Sequence, residues 1–321
     1  MTLRCCILLL FLFITATQID LAQPKTADKT IAVTIDDLPL NIASRVSNAE
    51  MRTIVERLLE KIKQEKTPVN AFVNESKLEI NGMRDSERVA ILKLWLDAGV
   101  DLGNHTYAHK SQNQVPVGEA KEDILKGERT IKELLAMQNK KPKYFRHPFL
   151  HTGRDSATRT SINQFLDSLG YTIAPVTVDN AEWIFSSAFD KAYVKNDSAL
   201  MRSVSEQYLS YMRSELKYFE WMSDTLFQRP IRQILLIHSN RLNSFYYPAL
   251  CAMIRAEGFS FISLEDALKD EAYQSRNTFY GGGGISWLER WTITRGYKGT
   301  FFSGDPKAPQ NIMDLAGVKS E

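Results

Sequence analysis

The sequence predicts a parallel α/β protein, a (β/α) barrel that is distorted or incomplete, and three observations carry this expectation. Short runs of strand length, rich in β-branched and other apolar residues, alternate with amphipathic runs of helix length in about seven units. Polar residues cluster where the strand-like runs end, the edge at which parallel sheets place their sites. No internal repeat of fixed period competes with this reading.

Taken in order, residues 30–35 (TIAVTI) form the first strand, which runs into Asp36-Asp37. Residues 48–66 place Met51, Ile54, Val55, Leu58, Leu59 and Ile62 at three- and four-residue spacings, the single apolar stripe of a helix packed on a sheet. Residues 69–73 are the next strand, so the first three elements make a βαβ unit. The alternation continues with a helix over 84–98, a strand over 100–103 and a helix over 119–137. A strand at 144–145, a helix over 156–169 and a strand over 171–178 follow. A long helical insert, residues 196–226 within a segment 184–230 of no assigned role, precedes a strand over 233–237, a helix over 247–257 and a strand over 259–262. The run Gly281 to Gly284 has no Gly-Lys-Ser/Thr after it, so it reads as a flexible joint and not a phosphate loop. The expected layout is a catalytic unit over 28–270 and an aromatic-bearing tail of unassigned role over 271–321.

Composition narrows the function classes. With 44% apolar and 24% charged residues the chain can bury a full core, which excludes disorder as a whole. Forty basic against 38 acidic side chains give a formal charge of +2 with no basic cluster, so nucleic acid is not an expected partner. Residues 1–22 read as a signal peptide: Arg4 precedes an apolar run over 5–16, and Leu21-Ala22-Gln23 offers a cleavage junction. The run is shorter than the roughly 20 residues of a spanning helix, and Asp20 follows it closely. The expectation is a secreted or periplasmic protein with no membrane span after signal removal. Cys5 and Cys6 leave with the signal, and the remaining Cys251 reads as a small buried apolar residue. Any metal must therefore be held by His and carboxylates.

Five short segments at strand ends or in loops hold nearly all the residues from which a hydrolytic site can be assembled: Thr34-Ile-Asp-Asp37, His105-Thr-Tyr-Ala-His109, Arg146-His-Pro-Phe149, Asp179-Asn-Ala-Glu-Trp183 and Leu236-Ile-His238. Adjacent carboxylates diverge, so one can ligate a cation while its neighbour faces a bound water; an Asp-Asp pair also serves as a turn or helix cap. The spacing of His105 and His109 puts two imidazoles on one side of a helical turn, where they can share zinc or a similar ion with a carboxylate; capping or surface histidines are the alternative. Two His and one Asp leave coordination positions open, as a catalytic site requires. His147 can edge a cleft or be structural, and His151 is expected at the surface. Tyr208, Tyr211, Tyr218, Phe219 and Trp221 in the insert can stack on sugars, although their helical spacing also fits packing.

In this order, the five segments resemble the motifs of the polysaccharide deacetylase (NodB-homology, carbohydrate esterase) family over about residues 30–268. The resemblance implies a hydrolase of linear amides that removes N-acetyl groups from a carbohydrate, with N-acetylglucosamine units of a cell-wall or extracellular glycan as the expected substrate. It implies Asp37, His105 and His109 as ligands of a divalent ion, zinc foremost, with cobalt, nickel or manganese as alternatives. It makes Asp36 the base that activates water, Arg146 its partner, the Phe149 backbone N–H an oxyanion donor and His238 the acid. Leu236 would line the acetyl-methyl pocket, Trp183 a wall of the cleft, and Glu182 would orient and charge His238. Glu182 stands where the family has Asp, so that last role can instead fall to Asp179. Ile35, Phe149 and Lys110 are further departures, none of which removes a ligand. The alternatives are an O-acetyl esterase on a polysaccharide such as xylan and a non-catalytic carbohydrate-binding relative; a peptide amidase has no feature of its own here.

Overall fold

Strand β1 (Thr30–Leu38) is apolar on both faces because it lies inside the sheet: β2 (Val69–Val73) and β8 (Gln233–His238) flank it in parallel, and β9 (Ser260–Phe261) pairs with its first residues. A computed structural model describes residues 28–320, so the expected signal segment, residues 1–22, lies outside the described residues. The main sheet runs in the order β7 (Thr172–Ile173), β6 (Tyr144–Phe145), β5 (Asp101–Asn104), β2, β1, β8, with every pair parallel. The expected strand over 171–178 is split. Pro175 has no N–H for the ladder, and beyond it Val178 bridges Leu235 on β8, which bends the sheet toward closure. The result is a curled parallel half-barrel with flanking helices, as expected of a distorted (β/α) barrel.

Helix α1 (Asn48–Glu65) buries the six apolar residues of its predicted stripe and is capped by the Ser47 side chain, which accepts from Glu50 N–H. A short hairpin, β3 (Glu79–Ile80) and β4 (Met83–Arg84), turns at Asn81-Gly82, both at positive φ, and leads into α2 (Ser86–Asp97). The single helix expected over 119–137 is two, α3 (Val117–Lys126) and α4 (Arg129–Ala136). The break lies at Gly127, which packs so tightly on the backbone of Thr106 that a β-carbon would overlap it. Helix α5 (Ser156–Ser168) follows the expected span closely. The insert folds as α6 (Glu182–Val194) and the 30-residue α7 (Ser198–Phe227), both packed into the main core. Helix α8 (Arg241–Ala256) starts six residues before the expected 247, because Asn240 caps it by accepting from Asn243 N–H; buried Cys251 lies within it.

After the short α9 (Leu264–Ala267), the C-terminal segment joins the same body. Helix α10 (Trp287–Thr294) buries Leu288 and Trp291 in the core that contains β1 and α1, and α11 (Gln310–Ala316) packs on α6. The glycine run expected as a joint is seated against the barrel: Asn113 donates to the Gly281 carbonyl at 3.4 Å, and Gly284 meets the carbonyl of Phe149. No helix among the described residues is long and apolar enough to cross a membrane.

Candidate active site

Because all strands of the main sheet run in one direction, their carboxyl ends share one rim, and the strand register decides which side chains meet there. Asp36 pairs in register with His238 across β1 and β8, and Asn104 with Phe145 across β5 and β6, so His105 and Arg146 leave the sheet together. Asp36, Asp37, His105, His109, Phe149, Trp183, Leu236 and His238 line one cleft of about 520 Å³, joined by Asp179, His147 and His151.

Asp36 keeps extended backbone and stays 2% exposed, whereas Asp37 takes φ 70°, and this twist sends the two carboxylates apart. Thr106 and His109 also have positive φ, 66° and 53°. The two histidines therefore meet through an irregular loop, not the helical turn expected from their spacing. Their Nε2 atoms lie 3.2 Å apart, and each is 3.8 Å from Asp37 Oδ1. That oxygen is buried with no hydrogen-bond partner, and His105 Nδ1 donates to the Arg146 carbonyl at 2.9 Å, which fixes the tautomer with Nε2 facing the group. Burial holds the His105 imidazole down at about 4 and that of His109 at about 3, so both are neutral donors near pH 7. Burial pushes Asp37 up, but Lys77, at 3.1 Å, and the nearby histidines outweigh it and hold the carboxyl well below its usual range. One ionised carboxylate and two neutral imidazoles converging on a point fit a divalent cation.

Around this group stand two ion pairs. Arg146 is fully buried; its Nη1 donates to Asp36 Oδ2 at 3.2 Å, Nη2 to Thr34 Oγ1 at 2.9 Å and Nε to the Ala174 carbonyl at 2.9 Å. Burial raises the Asp36 pKa against the lowering effect of Arg146. On the other side His238 Nδ1 meets Glu182 Oε2 at 2.8 Å, and Glu182 Oε1 accepts from Asn240 and Asn243. Burial lowers the His238 pKa, but the hydrogen bond and charge of Glu182, helped by Asp37 and Asp36, outweigh it and raise it to about 9. Of the two residues expected to orient His238, Glu182 is the one in hydrogen-bond contact with it. An Asp179 oxygen accepts from Asn180 N–H, and burial pushes its carboxyl up to about 7.

Phe149 sits at φ 53° with its ring edge-on to His109, 4.4 Å between centroids, and its carbonyl against Gly284. Leu236 packs with Leu150, Val176 and Trp287. Trp183 is 44% exposed and forms a wall. His147 is buried, with Nδ1 at 2.6 Å from Gln112 Oε1, and edges the cleft. His151, expected at the surface, is half-buried on the rim with Nδ1 2.7 Å from Ser111 Oγ. Lys77, Asn240, Asn243 and Trp287 were not foreseen. Asn240 and Asn243 carry a cap pattern just after Leu236-Ile-His238 that points to them, whereas Lys77 and Trp287 arrive from a 3₁₀ turn and from the C-terminal segment, with no motif to mark them.

Residues 23–174 match the polysaccharide deacetylase family model. No curated protein matches the chain. Among solved structures, a CE4 family pseudoenzyme from Bacillus anthracis is 16% identical with a TM-score of 0.50, over 76% of this chain and 66% of that one. A mutant of that pseudoenzyme with restored enzymatic activity is 18% identical with a TM-score of 0.50, over 76% and 68%. The chitin deacetylase from Colletotrichum lindemuthianum is 20% identical with a TM-score of 0.48, over 76% and 90%. At these identities the likeness to the two structures with a TM-score of 0.50 speaks for the fold alone, and the family match speaks for the segment that holds Asp36, Asp37, His105, His109, Arg146 and Phe149. Residues 23–174 place that part of the chain in the polysaccharide deacetylase family of hydrolases.

Proposed function

We propose that this protein hydrolyses N-acetyl groups from a carbohydrate, with N-acetylglucosamine units of a cell-wall or extracellular glycan as the substrate class. The observation that carries the reading is the placement of a buried Asp36–Arg146 pair and a His238–Glu182 pair in one cleft with Asp37, His105 and His109. Asp37, His105 and His109 would hold a divalent ion, zinc foremost and cobalt, nickel or manganese otherwise, which would supply Lewis-acid polarisation of the acetyl carbonyl and acidify the attacking water. Asp36, its pKa raised by burial, takes the proton of that water while Arg146 holds the carboxylate in place. The Phe149 backbone N–H serves as oxyanion donor, Leu236 and its apolar neighbours take the acetyl methyl, and Trp183 walls the sugar. His238, kept protonated by Glu182, delivers the proton that the departing amine needs.

The same groups act on an O-acetyl ester, whose leaving group needs less help from His238. Acetate release from a panel of N- and O-acetylated oligosaccharides, with metal-stripped and metal-restored protein, separates the two; release from neither class points to a carbohydrate-binding relative. On this reading residues 1–22 are an export signal, residues 28–270 carry the chemistry, and the mature protein meets its glycan in the periplasm or outside the cell. N-terminal sequencing of the purified protein tests the export: a chain that still begins at Met1 contradicts it.

A further inference from the structure

The cleft does not end at Trp183. A second cavity of about 300 Å³ shares Asp179, Asn180, Trp183 and Gly284 with it, and a third of about 560 Å³ shares Pro306 with the second. Through these shared residues the three lie in series, as a furrow of three parts, from the Asp37–His105–His109 group outward, the second and third lined by α7 and the C-terminal segment. Both walls lie beyond residue 174, where the family match ends.

The aromatic residues of the insert divide cleanly along this furrow. Tyr208, Tyr211 and Phe219 are buried and belong to the core, as helical spacing allows. Trp221 is different: it is 45% exposed, its ring stacks at 5.9 Å on Tyr218 and lies 4.8 Å from Phe301 of the C-terminal segment. Trp183 is the matching exposed ring at the inner end. Between the two lie Asn180, Asp305 and Lys307, the last two paired at 2.5 Å. Exposed tryptophans held by their neighbours, with polar groups between them, suit a pyranose chain, whose C–H faces stack on rings while its hydroxyls bond polar side chains. The stretch of α7 that lines the furrow, from Tyr211 to Trp221, rises about 15 Å, enough for several sugar rings.

We infer that α7 and the C-terminal segment form a glycan track that holds a polymer well away from the reacting sugar, with Trp221 as its outer stacking platform. The inference rests on the carbohydrate deacetylase reading of the cleft and narrows it: the ligand is an extended acetylated chain. Binding of the N-acetylglucosamine hexamer and dimer, measured by calorimetry on metal-loaded Asp36→Asn protein to silence turnover, tests it. The hexamer should bind roughly tenfold more tightly than the dimer, Trp221→Ala should remove most of that difference, and Trp221→Phe should restore most of it. Hydrolysis of a small aryl acetate by the Trp221→Ala single variant should stay at the wild-type level. Equal binding of hexamer and dimer, no binding of either, or full hexamer affinity in Trp221→Ala overturns the track. Acetate release without length dependence leaves the deacetylase reading standing and removes the track; hexamer binding through Trp221 with no acetate release from any substrate does the reverse.

Discussion

Asp36 and Asp37 are neighbours in sequence and differ in what surrounds them. Asp36 remains on the strand against the buried guanidinium of Arg146, whereas Asp37, turned by its positive φ, faces two neutral imidazoles and Lys77. Asp36→Asn is therefore expected to keep the metal and lower turnover by roughly a hundredfold to ten thousandfold, while Asp37→Asn lowers metal content as well. Metal analysis beside kcat separates the two. Arg146→Met leaves Asp36 buried without its partner, and a loss of roughly 3–5 kcal/mol in urea unfolding is the expected result. For His238 the folded pKa is raised from 6.5 to about 9, so its donating form is complete at neutral pH and is lost as pH rises through about 9. The alkaline limb of kcat on an N-acetylated substrate should lie there, and Glu182→Gln should move it to lower pH; an unmoved limb would show that His238 is not the acid. The residues that meet in the cleft were legible in the five segments, of which those of Asp36, His105, Arg146 and His238 lie at strand ends, and the roles given to them come from the family resemblance. Lys77 and Trp287 were not, since nothing local marks a side chain that reaches the site from elsewhere.

Loops, and not the regular elements, bring the histidines and Phe149 into place. Asp37, Thr106, His109, Phe149 and Leu150 all carry positive φ, a costly conformation for residues with a β-carbon, so the surrounding packing must hold them. Gly127 lets the break between α3 and α4 press on Thr106, and Gly284 lets the C-terminal segment press on the Phe149 carbonyl. Arg290 of α10 adds hydrogen bonds to the Leu150 carbonyl and to Thr152 Oγ1. Gly284→Ala is accordingly expected to displace Phe149 and lower kcat on an N-acetylated substrate while metal content stays at the wild-type level. Periodicity located the elements well, from β1 through α5, and failed where a tertiary contact overruled it. It missed that Pro175 divides the strand over 171–178, a local break that the missing N–H of proline marks in the sequence, and it could not see that Gly127 divides the helix over 119–137, because that break answers to Thr106, distant in sequence.

The chain reads in sequence as a catalytic unit with a tail, yet the tail is packed as part of the barrel's body. Leu288 and Trp291 lie in the core that holds β1, and Trp287 N–H donates to the Val176 carbonyl at 2.7 Å. Deleting residues 271–321 uncovers large core side chains, each worth roughly 2–5 kcal/mol on truncation, so the shortened protein should unfold or aggregate. A truncated protein that melts like the full chain would show that residues 28–270 fold alone. Composition carries no information on where a C-terminal segment docks, which depends on shape. The account of the whole molecule rests on one claim, that Asp37, His105 and His109 hold an ion needed for deacetylation. Stepwise addition of zinc to metal-stripped protein, with acetate release from an N-acetylglucosamine oligomer read at each step, tests it most directly. Activity should rise from near zero and level off at one ion per chain; activity in the stripped protein equal to that of the restored one, or none at any loading, would contradict it.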